Sequence, residues 1–322
     1  MTYITPGICS GFFIYKFIME NYLKKNVAIQ GGKGSFHEIA SIFHFGIKNI
    51  NTVPFETFGD LVDSVENNEV DCGLMAIENT VAGSLMPNYV LLEERDIFVI
   101  GEILLRIEQN LLALDGQKIG DIKEVHSHPI ALMQCARFFK DHPHIKLIES
   151  DDTANSAKKI SELNLKGIGA IASQRASGLF GLSVLESGIE TNKRNFTRFL
   201  IITRKDKKNN EIHDKSILNK ASISFSVVHK TGCLSKVLSI FSFYNINLSK
   251  IQSIPIIGKE WEYHFIVDLV FESYEIYTQA LVAIQPLIDE LQVLGEYPKA
   301  DKYYMSNEIS SNIDVEVIHT TL

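Results

Sequence analysis

The sequence has few cysteines, no excess of positive charge and no long apolar run, and each shortage excludes a class of protein. Cys9, Cys72, Cys135 and Cys233 are scattered without CxxC spacing, which argues for a reducing compartment and against a structural zinc site. The formal net charge of −8 is not that of a nucleic-acid-binding protein. No segment approaches the roughly 18 apolar residues that a membrane span requires. We therefore expect a cytoplasmic protein with no nucleic-acid or membrane partner.

The N-terminal residues 1–24 are moderately apolar, but they have no basic segment and no clear cleavage site, so we interpret them as an N-terminal extension. The whole chain of 322 residues, 45% of them hydrophobic, is large enough for two or three domains. His126, His128, His142 and His144 lack the i,i+4 spacing of a helical zinc pair, so we expect no metal site.

Repeated strand–loop–helix units fill the first 200 residues and predict an α/β fold with a mostly parallel sheet. The first unit passes from a strand at Lys25–Gln30 through the turn Gly31–Gly34 into a helix whose start has Ser35 and Glu38 in capping-box spacing. Free N–H groups at such a turn can bind an anion, although an ordinary βα turn is the alternative. A second block of units follows, and two blocks indicate two lobes with a cleft between them.

Polar residues follow a buried strand at two points of this region. Glu78-Asn79-Thr80 comes after the apolar run Val70–Ile77, and ligands of open α/β sheets bind beyond such strand ends. Asn195-Phe196-Thr197-Arg198-Phe199 leads into the apolar strand Leu200–Thr203. The alternative for the first stretch is an ordinary capped loop. The alternative for the second is a capped strand start with a surface arginine. Because neighbours in a strand face opposite sides, a ligand-facing Thr197 would turn Arg198 away, toward a Glu or Asp of the protein.

The C-terminal third changes pattern. Residues 204–217 are charged and aperiodic, which is typical of a linker. Residues 218–297 have the order β-α-β-β-α-β of an α+β, ferredoxin-like sandwich. Residues 298–322 form a polar tail, which we expect to be frayed after Lys302.

Several motifs in fixed order resemble the bacterial prephenate dehydratases that carry a C-terminal ACT domain. The resemblance extends from about Val27 to about Tyr297. Its motifs are Ala28-Ile29-Gln30-Gly31 with Gly34-Ser35-Phe36, Ile77-Glu78-Asn79-Thr80 with Gly83, Ser127-His128-Pro129 with Gln134-Cys135, Asp152-Thr153-Ala154, Ala170-Ile171-Ala172-Ser173 and Asn195-Phe196-Thr197-Arg198-Phe199.

This resemblance implies a two-lobed, periplasmic-binding-protein-like dehydratase domain over residues 25–203. Residues 25–105 with 196–203 would form one lobe and residues 106–195 the other. It also implies that prephenate loses water and carbon dioxide to give phenylpyruvate in phenylalanine biosynthesis, without a cofactor. Thr197 would be the proton donor, with Asn79 and Gln134 in catalysis. Substrate-binding positions would be Gln30, Gly34, Ser35, Glu78, Thr80, Ser127, Thr153, Ser173, Asn195, Phe196 and Arg198.

The ACT domain of the resemblance, residues 218–297, implies feedback inhibition by L-phenylalanine and a homodimer or homotetramer. Its effector site would comprise Gly232, Cys233, Leu234, Ser235, Gln252, Ser253, Ile254 and Pro255. The family's Glu and Arg are replaced here by Gln252 and Ile254, and a histidine common before the third motif is absent from Ile107–Leu112.

Two other functions remain open at this point. An arogenate dehydratase would perform the same chemistry on the aminated substrate. A two-lobed small-molecule sensor would bind without turnover, but such a protein has no need of a proton donor at Thr197.

Overall fold

The computed structural model describes residues 24–208, 214–228, 230–256, 258 and 262–308. The predicted N-terminal extension lies outside these residues except for its last position. So do the middle of the predicted linker, two residues of a predicted turn at 257–259, and the tail beyond residue 308.

The helices and strands of the described residues are numbered here in chain order. The strands are β1 (Lys25–Gln30), β2 (Ile50–Phe55), β3 (Cys72–Asn79), β4 (Gly83–Ser84), β5 (Ile97–Arg106), β6 (Asn110–Ala113), β7 (Glu124–Ser127), β8 (Lys146–Glu149), β9 (Ile168–Ala172), β10 (Ser183–Glu186), β11 (Phe196–Arg204), β12 (Lys220–Ser226), β13 (Asn247–Pro255), β14 (Tyr263–Val270), β15 (Glu290–Tyr297) and β16 (Tyr303–Met305). The α-helices are α1 (Phe36–Phe45), α2 (Phe58–Glu66), α3 (Met86–Glu94), α4 (Pro129–Gln134), α5 (Ala136–Lys140), α6 (Thr153–Glu162), α7 (Gln174–Phe180), α8 (Cys233–Phe243) and α9 (Tyr274–Ile284).

These strands form two sheets in a mixed α/β fold. The larger sheet has the order β13-β14-β12-β15-β5-β11-β3-β1-β2, and the smaller one has the order β10-β6-β9-β7-β8. In the larger sheet β1 pairs in parallel with β2 and β3, and in the smaller sheet β7 pairs in parallel with β8 and β9. Helical crossovers between consecutive strands produce this parallel pairing, as the strand–loop–helix pattern predicted.

The chain crosses between the two sheets twice. The segment predicted as a strand pair or one long strand is two strands, with β5 in the larger sheet and β6 in the smaller one. The chain later returns as β11, which lies antiparallel between β3 and β5. This confirms the prediction that the strand after Thr197 rejoins the first sheet. Phe199, Leu200, Ile201 and Ile202 are buried there, so both faces of the sheet hold apolar side chains.

The C-terminal module has the predicted order β12-α8-β13-β14-α9-β15. Its helices pack on one face of its strands around a separate apolar core. Gly295 of β15 pairs with Val99 of β5, which makes the module's strands continuous with the larger sheet. The two sets of elements therefore share one sheet.

The prediction of a frayed tail after Lys302 is wrong for residues 303–308. Tyr303–Met305 pairs in parallel with β5, and the Tyr303 ring lies edge-on to Phe196 with 5.0 Å between ring centroids. Tyr304 packs against Phe43. These aromatic rings cover apolar surface at the rim of the sheet, which holds the segment in place. In the part of the chain that is described, no helix is long and apolar enough to span a membrane.

Candidate active site

A cavity of about 170 Å³ lies where the two sheets meet. Both sheets and the loops at their crossings contribute to its walls. The lining residues are Gln30, Ser35, Phe36, His37, Ala76, Asn79, Ala82, Leu85, Ile107, Gln109, His128, Ile130, Ala131, Gln134, Asp151, Asp152, Thr153, Thr197 and Phe199. The structure thus brings Asn79, Gln134 and Thr197 together on one cavity, although they are far apart in sequence. Of the predicted substrate-binding residues, Gln30, Ser35 and Thr153 also line it.

Asn79, the last residue of β3, has an amide group whose orientation is determined by the backbone. Its Oδ1 accepts hydrogen bonds from the backbone N–H groups of Val81 at 2.9 Å and Ala82 at 2.8 Å. Since a backbone N–H can only donate, the atom facing it must be the oxygen. The Nδ2 group therefore points the other way, where it donates to Asn195 Oδ1 at 2.8 Å and Thr197 Oγ1 at 2.9 Å.

This contact orients the Thr197 hydroxyl. Because Thr197 Oγ1 accepts from Asn79, its own proton is left to donate to another group, and the side chain lines the cavity. Phe199 lines the same cavity two residues along β11, whereas Arg198 does not. The strand alternation inferred from the sequence is therefore present at the site.

The same reasoning continues through a chain of amides beside the cavity. Asn195 uses its oxygen for Asn79, so its Nδ2 donates to Gln134 Oε1 at 2.9 Å. Gln109 Nε2 donates to the same oxygen at 3.2 Å. Gln109 was not predicted as a site residue. The available signal was its place in Ile107–Leu112, the segment that lacks the histidine common in the family.

Two titratable groups on the cavity wall have shifted pKa values. Burial lowers the pKa of His37 from 6.5 to about 3, so its ring is neutral between the rings of Phe58 and Phe199. Burial raises the pKa of Asp152, while hydrogen bonds from backbone N–H groups oppose that shift. One of these comes from Asn155, because the Asp152 carboxylate caps α6. Asp152 therefore caps α6 and also lines the cavity.

Three predicted substrate-binding residues, Gly34, Ser127 and Ser173, form hydrogen bonds within the protein. Gly34 N–H donates to the Glu38 carboxylate at 2.7 Å, so the anion at the predicted anion-binding turn is the protein's own. Glu38 also pairs with Arg175 at 2.7 Å. Ser173 donates to the Gly34 carbonyl oxygen, and Ser127 donates to the carbonyl of Ile171 at 2.8 Å. None of the three predicted residues lines the cavity.

Four more predicted residues do not line the cavity, namely Glu78, Thr80, Asn195 and Phe196. Glu78 pairs with Lys250 of β13 at 3.3 Å. Thr80 donates to the carbonyl of Arg194 and accepts from the backbone N–H of Phe196, which ties the two polar stretches together. Asn195 is fully buried within the amide chain.

Arg198, a predicted substrate-binding residue, does not line the cavity. Its side chain is buried on the opposite face of the sheet, where Nε donates to Glu102 at 2.6 Å. The other guanidinium nitrogens donate to Asp268 and, at 2.9 Å, to Tyr297 Oη of the C-terminal module. This is the pairing with protein carboxylates that strand alternation favoured.

The C-terminal module has a separate open cavity of about 800 Å³, lined in part by Gly232, Cys233, Leu234 and Ser235. The predicted second half of the effector site, Gln252–Pro255, does not line this cavity. These residues lie on β13, which β14 separates from β12. Ile254 packs against the apolar cluster around Tyr89 on the larger sheet, so it is not free to meet a phenyl ring in that cavity. The two predicted halves of the effector site therefore do not line one cavity within the chain.

Comparisons with known proteins agree with the geometry. A family model described as prephenate dehydratase matches residues 27–207. The chain is 33% identical over 287 residues to the bifunctional chorismate mutase/prephenate dehydratase of Buchnera aphidicola subsp. Acyrthosiphon pisum, covering 88% of this chain and 74% of that protein. It is 36% identical over 289 residues to arogenate dehydratase 2 of Petunia hybrida, covering 84% and 71%.

Among solved structures, prephenate dehydratase from Arthrobacter aurescens, in complex with L-Phe, shares the fold with a TM-score of 0.74. The similarity covers 86% of this chain and 91% of that one at 24% identity. With the family model matching more than half of its length and curated relatives matching most of it, the chain belongs to the prephenate dehydratase family and is a dehydratase.

Proposed function

We propose that this enzyme converts prephenate to phenylpyruvate, with Thr197 as the proton donor to the departing hydroxyl. The observation that carries the proposal is the contact from Asn79 Nδ2 to Thr197 Oγ1, which leaves the threonine proton free at the cavity. A neutral donor suits this reaction, because a carboxylate in the same place would repel a dianionic substrate.

The chemistry balances without a redox step or a cofactor. The bond from the ring to its carboxylate breaks and releases carbon dioxide, and its electron pair completes the aromatic ring. The bond from the ring to its hydroxyl breaks at the opposite carbon, and the leaving oxygen takes one proton to become water. Thr197 supplies that proton and recovers one from solvent, so each turnover takes up a single proton.

Ser35 and Thr153 are the proposed partners of the substrate carboxylates. Both residues line the cavity. Ser35 Oγ accepts from the Glu38 backbone N–H at 3.3 Å, so its own proton can be donated to the substrate. Gln134 is proposed to fix the orientation of the Asn79 and Asn195 side chains beside Thr197, since it contacts both amides.

The proposed domain organisation follows these roles. Residues 25–203 are assigned to the dehydratase domain, with one lobe of residues 25–105 and 196–203 and the other of residues 106–195. Residues 204–217 are assigned to the linker and 218–297 to an ACT domain. Residues 1–24 and 298–322 remain assigned to an extension and a tail.

Arogenate, the aminated substrate, is the second candidate. Two carboxylates, Asp151 and Asp152, belong to the cavity wall, and the described lining includes no lysine or arginine. Such a wall favours a substrate that carries an ammonium group over a dianion of the same shape. The printed name of the Petunia relative, arogenate dehydratase 2, supports the same candidate.

Regulation by L-phenylalanine is proposed for the C-terminal module. Its β-α-β-β-α-β order, its cavity at Gly232–Ser235 and the L-Phe complex of the Arthrobacter relative support this role. Because Gln252–Pro255 lies on β13, at the edge of the larger sheet as described, we propose that it completes the effector site of a second copy in a homodimer or homotetramer.

Turnover assays test both parts of the proposal. Purified protein is given prephenate and arogenate in parallel, and phenylpyruvate and phenylalanine are measured. Turnover of either supports the dehydratase assignment, whereas binding without turnover would identify a sensor. For regulation, L-phenylalanine is titrated into the wild-type protein and into Leu234→Trp, which places an indole ring on the wall of the C-terminal cavity. Equal inhibition of both would mean that phenylalanine competes in the cleft.

A further inference from the structure

Gln109 lines the catalytic cavity and has an unused hydrogen-bond acceptor. The residue is only 3% exposed, and its Oε1 is buried without a partner in the protein. Leaving such an oxygen unsatisfied costs free energy comparable to a lost hydrogen bond. Gln109 lines the cavity, so a bound molecule can supply the missing donor.

The oxygen cannot exchange places with the amide nitrogen without disrupting the site. The backbone N–H groups of Val81 and Ala82 orient Asn79, which orients Asn195, which in turn orients Gln134. Gln134 therefore presents an oxygen to Gln109, and only the Gln109 nitrogen can face it, at 3.2 Å. Rotating the Gln109 amide by half a turn would set two acceptor oxygens against each other.

The backbone of Gln109 is also held from both sides. Its N–H donates to the buried carboxylate of Glu190 at 3.0 Å, and its carbonyl accepts from the N–H of Ile189 at 2.8 Å. The acceptor thus has a determined position and direction before any substrate binds. Such preorganisation is what a residue that selects between substrates requires.

This inference rests on the proposed dehydratase chemistry and concerns its second candidate substrate, arogenate. That chemistry limits what the hydrogen-bond donor to Gln109 can be. Prephenate has one hydrogen-bond donor, its ring hydroxyl, and that group is assigned to Thr197. The side chains of Asn79 and Gln134 intervene between Thr197 and Gln109 in the amide chain. The remaining difference between the two candidate substrates is the side-chain substituent, which is a keto oxygen in prephenate and an ammonium in arogenate.

We propose that Gln109 determines substrate specificity by accepting a hydrogen bond from the ammonium group of an aminated substrate. A keto oxygen at the same point would face another acceptor and gain nothing. The carboxylates of Asp151 and Asp152 on the same cavity wall favour the positive group further. Discrimination of this kind is strong, because the wrong substrate leaves a buried polar group unpaired.

The test measures kcat/KM for arogenate and for prephenate in the wild-type enzyme and in Gln109→Met. Methionine has a similar length and lacks the acceptor. We expect the arogenate-to-prephenate ratio to fall about 10- to 150-fold, the usual worth of a hydrogen bond to a charged group. Any disturbance of Gln134 affects both substrates alike, because they share the ring and its leaving group, so it does not move the ratio.

Two further variants complete the experiment. Gln109→His can donate to Gln134 from one ring nitrogen and accept with the other, so at pH 8 it should restore most of the ratio. Asn110→Met removes the neighbouring buried amide, which contacts Ala172 and Gly188 and does not line the cavity. It should lower the melting temperature without changing the ratio.

An unchanged ratio in a folded Gln109→Met enzyme overturns the inference, whatever the absolute activity. Wild-type protein that turns over neither substrate would instead refute the proposed function. The two failures are therefore distinguishable in one set of assays.

Discussion

Arg198 and Asp268 form a buried ion pair that joins the strand of the proposed proton donor to the C-terminal module. Arg198 follows Thr197 in β11, and Asp268 lies in β14, 70 residues further along the chain. Glu102 and Lys220 complete a cluster of two positive and two negative side chains. Although burial by itself raises the pKa of Asp268, Arg198 and Lys220 lower it below its ordinary value.

Replacing Asp268 with Asn should destabilise the protein strongly, because it leaves a net positive charge inside the sheet. Breaking a buried ion pair from one side typically costs about 3–5 kcal/mol, measured here as the free energy of unfolding in urea. The matched control is Asp206→Asn, which breaks the exposed pair with Arg204 and should change stability little. Equal effects of the two variants would contradict a structural role for the buried cluster.

Replacing Thr197 with Ala should lower kcat by roughly 10²- to 10⁴-fold in a folded enzyme, because it removes the proposed proton donor. Thr197→Ser should retain more activity, since it keeps the hydroxyl. Thr203→Ala serves as the control, because Thr203 is a buried threonine of the same strand that does not line the cavity. Near wild-type turnover by Thr197→Ala would refute the assignment.

Acid should destabilise the protein in part through His37. The unfolded chain binds a proton on this ring near pH 6.5, whereas the folded protein keeps it neutral down to about pH 3. Between these values the unfolded state holds the extra proton, so stability decreases as pH falls, by up to about 1.4 kcal/mol per pH unit.

The variant His37→Gln removes this titration and should flatten the pH dependence of the unfolding free energy between pH 6.5 and 3. His144→Gln, at an exposed histidine, is the control. Parallel curves for wild type and His37→Gln would show that the ring is not buried in its neutral form.

Replacing Gly295 with Ala should loosen the junction between the C-terminal module and the larger sheet. A Cβ at this position would lie 2.4 Å from Val99 Cβ and 2.6 Å from its carbonyl oxygen, closer than real Cβ atoms approach their neighbours. Overpacking of this kind costs about 1–3 kcal/mol, measured by thermal unfolding. Gly120→Ala, where the new methyl meets open space, should have little effect. A melting temperature equal to wild type for Gly295→Ala would contradict the close approach.

The local elements and the proposed catalytic side chains could be predicted from the amino-acid sequence. Apolar strands, helix caps such as Ser35 and polar residues at strand ends are encoded within a few neighbouring positions. Alternation along β11 indicated that Thr197 and Arg198 face opposite sides, because successive side chains of a strand do so. The fold placed Thr197 on the side of the cavity.

The contacts that these side chains make could not be predicted from the sequence and depend on the fold. Asn79 reaches Asn195 across 116 positions, and Arg198 reaches Glu102 across 96. The Glu38 carboxylate accepts a hydrogen bond from the N–H of Gly34. Gln109 ends the amide chain, and its Oε1 has no hydrogen-bond partner in the protein. Such contacts depend on sheet order, on the two crossings between the sheets and on the balance of buried charge. Sheet order, strand crossings and buried charge cannot be inferred from a few neighbouring residues, so the partner of a polar residue depends on the fold.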